Sequence, residues 1–509
     1  MTELLTAAQM RSLEAAAIAS GQVTGLELMD RAGRGVVEAV FAEWPEMAAG
    51  SYRAVVLCGP GGNGGDGYVV ARLLRDWGWK VEVFALAAAV SSDAVVMQSR
   101  WGHEVRALSA LDWPDLAGAP LVVDAMFGGG LTRNIAPGVW GTLSMAQSNG
   151  CKIVAVDIVS GVCADSGRVR SADFIEAAVD LTVTFQRPRV GHYLGQGAAL
   201  SGRLVVMPLG LKRQMDDLLR TDGDGVVDLD WVRVSALPKV AGHKFGYGHA
   251  LVLSGGVGHG GAARLAARGA LRIGAGVVTL GCPPSAVIEN ASRLDAVMLA
   301  RVGDAEALAG VLADKRINAV CLGPGMGVSR AKELLPVVLA AGRSVVLDAD
   351  GLTALAEDPA LFALLHDRCV LTPHGGEFAR LFPDIAARLA ALAVTGPTYS
   401  KVDACREAAA RAGCVVLCKG ADTVIADPAG HCSINSASYD RSAPWLATAG
   451  SGDVLAGFIT GLLARGMPPM QAAETAAWLH VECARSFGPG LIAEDLAQEL
   501  PPVFRALGL

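Results

Sequence analysis

The chain contains no Cys-x-x-Cys pair, and its 11 cysteines are scattered and odd in number. That excludes a zinc ribbon and a disulfide framework, and leaves most of the thiols as small core residues in a reducing compartment. Basic blocks and interleaved aromatic and basic residues are also missing, and 43 Lys and Arg against 50 Asp and Glu give a net charge of −7. No nucleic-acid partner is therefore expected. No uncharged apolar stretch is long enough to span a bilayer, so no membrane partner is expected either. The first residues, with Glu3 and Glu14, have neither the basic region nor the apolar core of a signal peptide, and a cytoplasmic location is expected. Neither long glycine run ends in Gly-Lys-Ser/Thr, which excludes a P-loop.

What is present is apolar and long. Only 18% of residues are charged and 52% are hydrophobic, so the chain buries much of itself or associates with copies, and a homo-oligomer is expected. A length of 509 residues is about three times the usual single-domain size. Short β-branched runs at 54–57, 81–84, 121–123, 153–156, 181–185 and 204–206 alternate with helical segments, and 6–38 reads as amphipathic helix before them. The pattern restarts at 249–254 and continues through 277–280, 319–322, 344–347, 369–372, 415–417 and 423–426. Such alternation predicts βαβ units and mostly parallel sheets covered on both faces. The fold class is α/β: an N-terminal three-layer Rossmann-like α/β/α domain over 1–212 and a second α/β domain over 225–509. The polar interval 208–230 fits the connection between them.

Chemistry concentrates where glycine turns meet helices. Gly450-Ser-Gly-Asp453 runs straight into a helix, so free backbone N–H groups favour developing phosphate charge, and Asp453 in the first turn could take a proton from an attacking hydroxyl. The bland alternative is an acidic residue placed against a helix dipole. Gly59-Pro-Gly-Gly-Asn-Gly-Gly-Asp-Gly67 makes a second phosphate-sized loop after a strand. Gly59, Gly61 and Gly64 meet a dinucleotide spacing, as do Gly256, Gly258 and Gly261, but neither following strand ends in an acidic residue to hold a ribose. At further strand ends, Asn63, Asp124 and Ser160 offer oxygens that suit a hard cation, with Asp157 as a proton carrier beside them. Singly, Asp124 or Asp157 reads as a cap on the following turn.

Three segments together carry a resemblance: Gly61 to Arg72, the Asp124 segment with Gly128-Gly-Gly-Leu131, and Val156-Asp-Ile-Val-Ser-Gly161. They are similar to the NAD(P)H-hydrate epimerase domain. The resemblance implies that Gly62, Asn63, Gly64, Gly65 and Asp66, with Gly128, Gly129, Gly130, Leu131, Thr132, Arg133 and Asn134, hold a hydrated dinucleotide. It implies a potassium ion on Asn63, Asp124 and Ser160, and Asp157 as the substrate-contacting acid or base that inverts C6 of the damaged nicotinamide ring.

The second half resembles the ribokinase-like fold, and within it the ADP-dependent NAD(P)H-hydrate dehydratases. The matching pieces include His243-Lys-Phe-Gly-Tyr-Gly, Gly255-Gly-Val-Gly-His-Gly-Gly-Ala-Ala263, Leu322-Gly-Pro-Gly-Met-Gly327, Leu347-Asp-Ala-Asp-Gly351, Thr372-Pro-His-Gly-Gly-Glu377, Cys418-Lys-Gly-Ala-Asp-Thr423 and Gly-Ser-Gly-Asp453. The resemblance implies that Ala262, Gly327, His374 and Asp453 touch the hydrate. It places an adenine nucleotide, ADP as co-substrate, on Lys419, Gly420, Ala421, Asp422, Thr423 and Gly452, and magnesium could accompany that nucleotide. Asp453 would deprotonate the ring hydroxyl, the glycine amides would stabilise the transferred phosphoryl group, and loss of phosphate would restore the double bond, leaving AMP and phosphate. Small molecules are thus the expected partners. A sugar or hydroxymethylpyrimidine kinase, which shares the fold, and a non-catalytic nucleotide sensor are the rival readings; the fused first half weighs against the one, and Asp453 and Asp157 against the other.

Overall fold

The computed structural model describes residues 3–135, 138–170, 177–230, 232–392 and 396–509, residue 224 by its backbone alone. The chain forms two compact units, Glu3–Val227 with Leu392–Ser400, and Asp228–Ala391 with Lys401–Leu509.

In the first unit seven strands, β1 (Arg53–Cys58), β2 (Lys80–Ala85), β3 (Val105–Ala107), β4 (Leu121–Ala125), β5 (Lys152–Val156), β6 (Leu181–Phe185) and β7 (Arg203–Met207), form one sheet in the order β3-β2-β1-β4-β5-β6-β7. Every neighbouring pair is parallel. Strands buried on both faces favour near-continuous apolar runs, and Val122, Val123, Val154, Ala155 and Val156 are each at 0% exposure. The order reverses between β1 and β4, which opens a crevice at their carboxyl ends. The expected single helix over 6–38 is two, α1 (Ala7–Ala19) and α2 (Gly25–Glu43). Gly21 turns the chain at φ 72° and Thr24 caps α2 reciprocally with Glu27, so local chemistry overrides the continuous apolar pattern. The helix α3 (Gly62–Asp76) follows β1. The interval 208–230 is not a bare connection. It contains the helix α4 (Lys212–Thr221), whose Gln214 and Met215 are buried.

In the second unit the strands β8 (His249–Leu253), β9 (Val277–Cys282), β10 (Met298–Arg301), β11 (Ile317–Leu322), β12 (Ser344–Leu347), β13 (Cys369–Leu371), β14 (Val415–Cys418), β15 (Asp422–Ala426) and β16 (Cys432–Ser436) run in the order β16-β15-β14-β13-β12-β11-β8-β9-β10. Pairing is parallel from β14 to β10 and antiparallel at β15 and β16. β3, β10 and β16 went unanticipated: Val105–Ala107 is very short, Met298–Arg301 lacks β-branched residues, and Cys432–Ser436 is polar although buried. Helices α5 (Gly261–Arg272), α6 (Gly375–Leu381), α7 (Lys401–Ala412), α8 (Ser451–Ala464) and α9 (Pro469–Phe487) complete the framework used below. α8 is apolar all round, with every residue from Val454 to Ala464 buried. It lies so close to α5 that a side chain at Gly457 would start 2.2 Å from the Ala266 carbonyl oxygen. That close packing fixes where its first turn, and Asp453 with it, must lie.

Candidate functional site

The first site lies in the crevice of the first sheet. Loops can meet there only because glycines leave room: a side chain at Gly59 would start 1.7 Å from the Met126 carbonyl oxygen. A cavity of about 430 Å³ is lined by Gly62, Asn63, Asp66, the loop from Gly128 to Arg133 and Asp157. Gly64 and Gly65 are buried in α3 away from that lining, where added side chains would meet Gly59 and Met29, and Asn134 is not part of it.

Asp157 follows β5 with φ 66°, a left-handed conformation that Asp tolerates better than most residues. Its carboxylate is heavily engaged. Oδ1 sits 3.1 Å from the Arg189 guanidinium and accepts from the Thr184 hydroxyl at 3.0 Å, while Oδ2 accepts from the Gly129 N–H at 2.8 Å. Burial pushes this acid up, but Arg189, the Gly129 amide, His192 and Thr184 together hold it below its ordinary range, so it is ionised at neutral pH. The buried His192 ring donates from Nε2 to the Asp157 carbonyl oxygen at 2.9 Å, and burial pushes its own pKa down to about 4. Arg189, His192, Thr184 and the α1 residues Arg11 and Glu14 were missed in the sequence. None stands in a glycine motif, and only the topology brings them to Asp157.

Asp124 and Ser160 are both at 0% exposure and bound to each other, with Ser160 Oγ 2.5 Å from Oδ1 and its N–H 2.9 Å from Oδ2. Asp124 has no cationic side chain beside it among the described residues, and burial, partly offset by Ser160 and the Met126 N–H, pushes its pKa up to about 6. Asn63, which lines the cavity, keeps a buried, unpartnered Nδ2, a donor and not a cation ligand. A buried carboxylate with no cationic side chain beside it, next to a serine hydroxyl oxygen, fits a hard monovalent or divalent cation.

The second site lies at the carboxyl ends of β8, β11, β12, β13 and β14, where the chain order again reverses, between β8 and β11. Asp453 stands in the first turn of α8, behind Gly450 at φ 89°. Burial, then the charge of Asp348, raises its pKa, Lys419 opposes them, and the result is about 6. A base of that strength is mostly ionised at pH 7 yet still takes up a proton readily. Lys419, which could have been a surface charge, is not one. Its Nζ lies 2.7 Å from Asp348 and 3.8 Å from Glu377, close to the Gly452 backbone. Between Asp348 and Asp350 the backbone of Ala349 takes φ 47°, ψ −116°, a conformation that costs a non-glycine residue about 1 to 3 kcal/mol and is characteristic of functional loops. Asp350 accepts from the Gly327 N–H at 2.9 Å. His374 caps α6, its Nδ1 accepting from the Gly376 N–H at 3.0 Å, and its side chain is exposed. Ala262 stands at the start of α5, near Gly325.

Next to Lys419 a mostly apolar cavity of about 570 Å³ is lined by Lys419, Gly420, Ala421, Thr423 and Gly452, with Leu446 and His480 among the rest. Asp422 is not in that lining. Its carboxylate pairs with Lys401 at 2.7 Å, and Lys401 also donates to the Lys419 and Asp422 carbonyls, which holds the whole turn. His480 donates from Nε2 to the Ser451 carbonyl at 2.9 Å, and burial keeps it neutral with a pKa of about 4. Lys401 and His480 stand on α7 and α9, outside every quoted motif, and carried no sequence signal.

Residues 25–191 match the family described as YjeF-related protein N-terminus, and residues 250–501 match the family described as NAD(P)H-hydrate dehydratase. The chain is 34% identical to the bifunctional NAD(P)H-hydrate repair enzyme Nnr of Coxiella burnetii, covering 98% of this chain and 99% of that one. It is 36% identical to the protein of the same name from Moorella thermoacetica, over 99% and 97%. The NAD(P)H-hydrate epimerase of Rhodobacter capsulatus is 45% identical over 42% of this chain and all of its own. Among solved structures, the ADP/ATP-dependent NAD(P)H-hydrate dehydratase of Bacillus subtilis, co-crystallised with ATP and Mg2+, covers 54% of this chain and 95% of its own at 30% identity and a TM-score of 0.44.

Proposed function

The chain belongs to the bifunctional NAD(P)H-hydrate repair enzymes, and from that premise we propose a division of labour between its two sites. The first unit interconverts the two C6 epimers of hydrated NADH and NADPH, and the second dehydrates one of them, the S hydrate, with ADP, releasing NAD(P)H, AMP and phosphate. We assign the first activity to 1–212 and the second to 225–509. The observation that carries the proposal is Asp453: a half-buried carboxylate with a pKa of about 6, in the first turn of a helix whose glycine amides and nearby Lys419 ammonium can receive phosphoryl charge. Asp453 takes the hydroxyl proton, and the Gly450 to Gly452 amides with Lys419 stabilise the phosphoryl group in transit. Phosphate then leaves more readily than hydroxide would. The adenine end lies in the apolar cavity by Leu446, and Ala262, Gly327 and His374 hold the hydrate. Magnesium would travel with the nucleotide phosphates.

In the first unit the loop from Gly128 to Asn134 and the turn from Gly62 to Asp66 hold the dinucleotide, and Asp157 faces the reacting ring. Asn63, Asp124 and Ser160 would hold potassium, whose positive charge would keep Asp124 ionised. Among the described residues no helix is long and apolar enough to cross a membrane, and we place the protein in the cytoplasm as a homo-oligomer.

Two tests arise here. Dehydration should fall as the pH drops through about 6, because Asp453 must be unprotonated to act as base. Initial rates at saturating ADP, corrected for uncatalysed loss of the hydrate, check this; a flat profile between pH 5 and 8 contradicts the assignment. Epimerisation should be about tenfold faster in potassium than in a bulky organic cation, and Asp124→Ala should erase that difference and weaken substrate binding. Equal wild-type rates in the two salts would remove the ion from the mechanism.

A further inference from the structure

Inverting C6 of the hydrate requires two groups in opposite protonation states. The hydroxyl and the ring nitrogen share that carbon, so the hydroxyl can leave as water if an acid protonates it, and water can return to the other face if a base takes its extra proton. Asp157 is suited to only one of these duties. The Gly129 N–H, the Thr184 hydroxyl and Arg189 hold it ionised, so it begins the forward turnover without a proton to give. A reaction that needs an acid and a base finds them in a pair of carboxyls whose surroundings push their pKa values apart.

The same cavity holds two more carboxyls, Glu14 on α1 and Asp66 on α3. Burial, and then the neighbouring Glu14 and Asp157 carboxyls, push Asp66 well above its ordinary value. Glu14 is half-buried and makes no hydrogen bond or ion pair among the described residues. The charged groups that face it are Arg189 after β6, Asp157 after β5, Arg11 on its own helix and Asp66 on α3. Burial raises its pKa first, Arg189 and Arg11 oppose that, and Asp157 adds to it.

We propose that Glu14 is a catalytic residue of the first site, the proton donor that works against Asp157 as proton acceptor; this rests on reading the first unit as an epimerase. The Glu14 carboxyl gives its proton to the C6 hydroxyl, and the C6–O bond breaks with its electron pair on oxygen, releasing water. The ring nitrogen lone pair forms the C6–N double bond of a cation. Water adds to the opposite face, the pair returns to nitrogen, and the proton of the added water goes to Asp157. The forward turnover leaves Glu14 ionised and Asp157 protonated, the state from which the opposite epimer runs the same steps backwards; exchange with solvent restores the first state for the next forward turnover. No oxidant or second substrate is needed.

The test uses the full-length protein, one purified epimer of hydrated NADH, potassium buffer and no ADP, with kcat and KM measured from about pH 5 to 9. The wild-type kcat should decline as the pH rises through the raised pKa of Glu14. Glu14→Gln should lower kcat about 10²-fold, remove that decline and leave KM within threefold. Glu14→Asp should keep the decline at a reduced rate, and it decides the matter should the Gln variant not fold. Glu14→Gln with a rate within threefold of wild type, or with the decline intact, overturns the proposal, as does loss of the decline in Asp66→Asn alone. If the wild-type protein does not interconvert the epimers, the epimerase reading itself falls and takes the proposal with it.

Discussion

Asp453→Asn should abolish ADP-dependent dehydration, by about 10³-fold or more, while epimer interconversion stays within twofold of wild type. The amide keeps the volume of the carboxylate at the start of α8, so the helix and the glycine turn before it need not move. What is lost is the base proposed to take the ring hydroxyl proton as phosphoryl transfer begins, and a positioned base is worth roughly 10² to 10⁴ in rate. Removing a negative charge from a cluster that already holds Asp348, Asp350 and Glu377 should also tighten nucleotide binding slightly. Product formation followed by absorbance, with ADP binding measured separately, distinguishes a chemical defect from a binding one. Dehydration within a few fold of wild type would sink the role given to Asp453.

The second large effect is expected at Asp157. Asp157→Asn leaves the Arg189 side chain, at 4% exposure, without its counter-charge, and replaces an acceptor of the Gly129 N–H by a group that can point either way. Breaking a buried pair from one side costs about 3 to 5 kcal/mol, so the thermal midpoint of the first unit should fall as well. Epimerisation should drop about 10²-fold or more even at temperatures where the variant is fully folded, because the loop from Gly128 to Arg133 loses its anchor and the ring loses its base. ADP-dependent dehydration of the accepted epimer should persist. A folded Asp157→Asn protein that epimerises at the wild-type rate removes this residue from the chemistry.

Some of this was readable from the chain because backbone requirements leave residue-type signatures. Only glycine fits at Gly59 against Met126, and Gly450 turns at positive φ before Asp453, so both loops announced themselves by composition. Alternating apolar runs marked the central strands because parallel strands covered on both faces favour apolar residues. Side chains that act from another element left no such mark. Glu14 is the one acid in an alanine-rich helix, Lys401 one of three bases in another, and His480 one of three aromatic residues in a third, and each owes its place to the order of strands in a sheet. Lys419 shows the opposite failure. Its motif was visible, but its tie to Asp348 and Glu377 depended on β12, β13 and β14 ending side by side.

The most direct test of the two-site account follows one molecule through both sites. The purified full-length protein is given only the R epimer of hydrated NADH, with ADP and potassium, and epimers, NADH, AMP and phosphate are resolved over time. The account predicts a transient S epimer followed by NADH, with one AMP and one phosphate for each NADH, and with ADP omitted a stable mixture of the two epimers and no NADH. NADH formed from the R epimer without ADP, or with ADP and the first site disabled by Asp157→Asn at an undiminished rate, would contradict it.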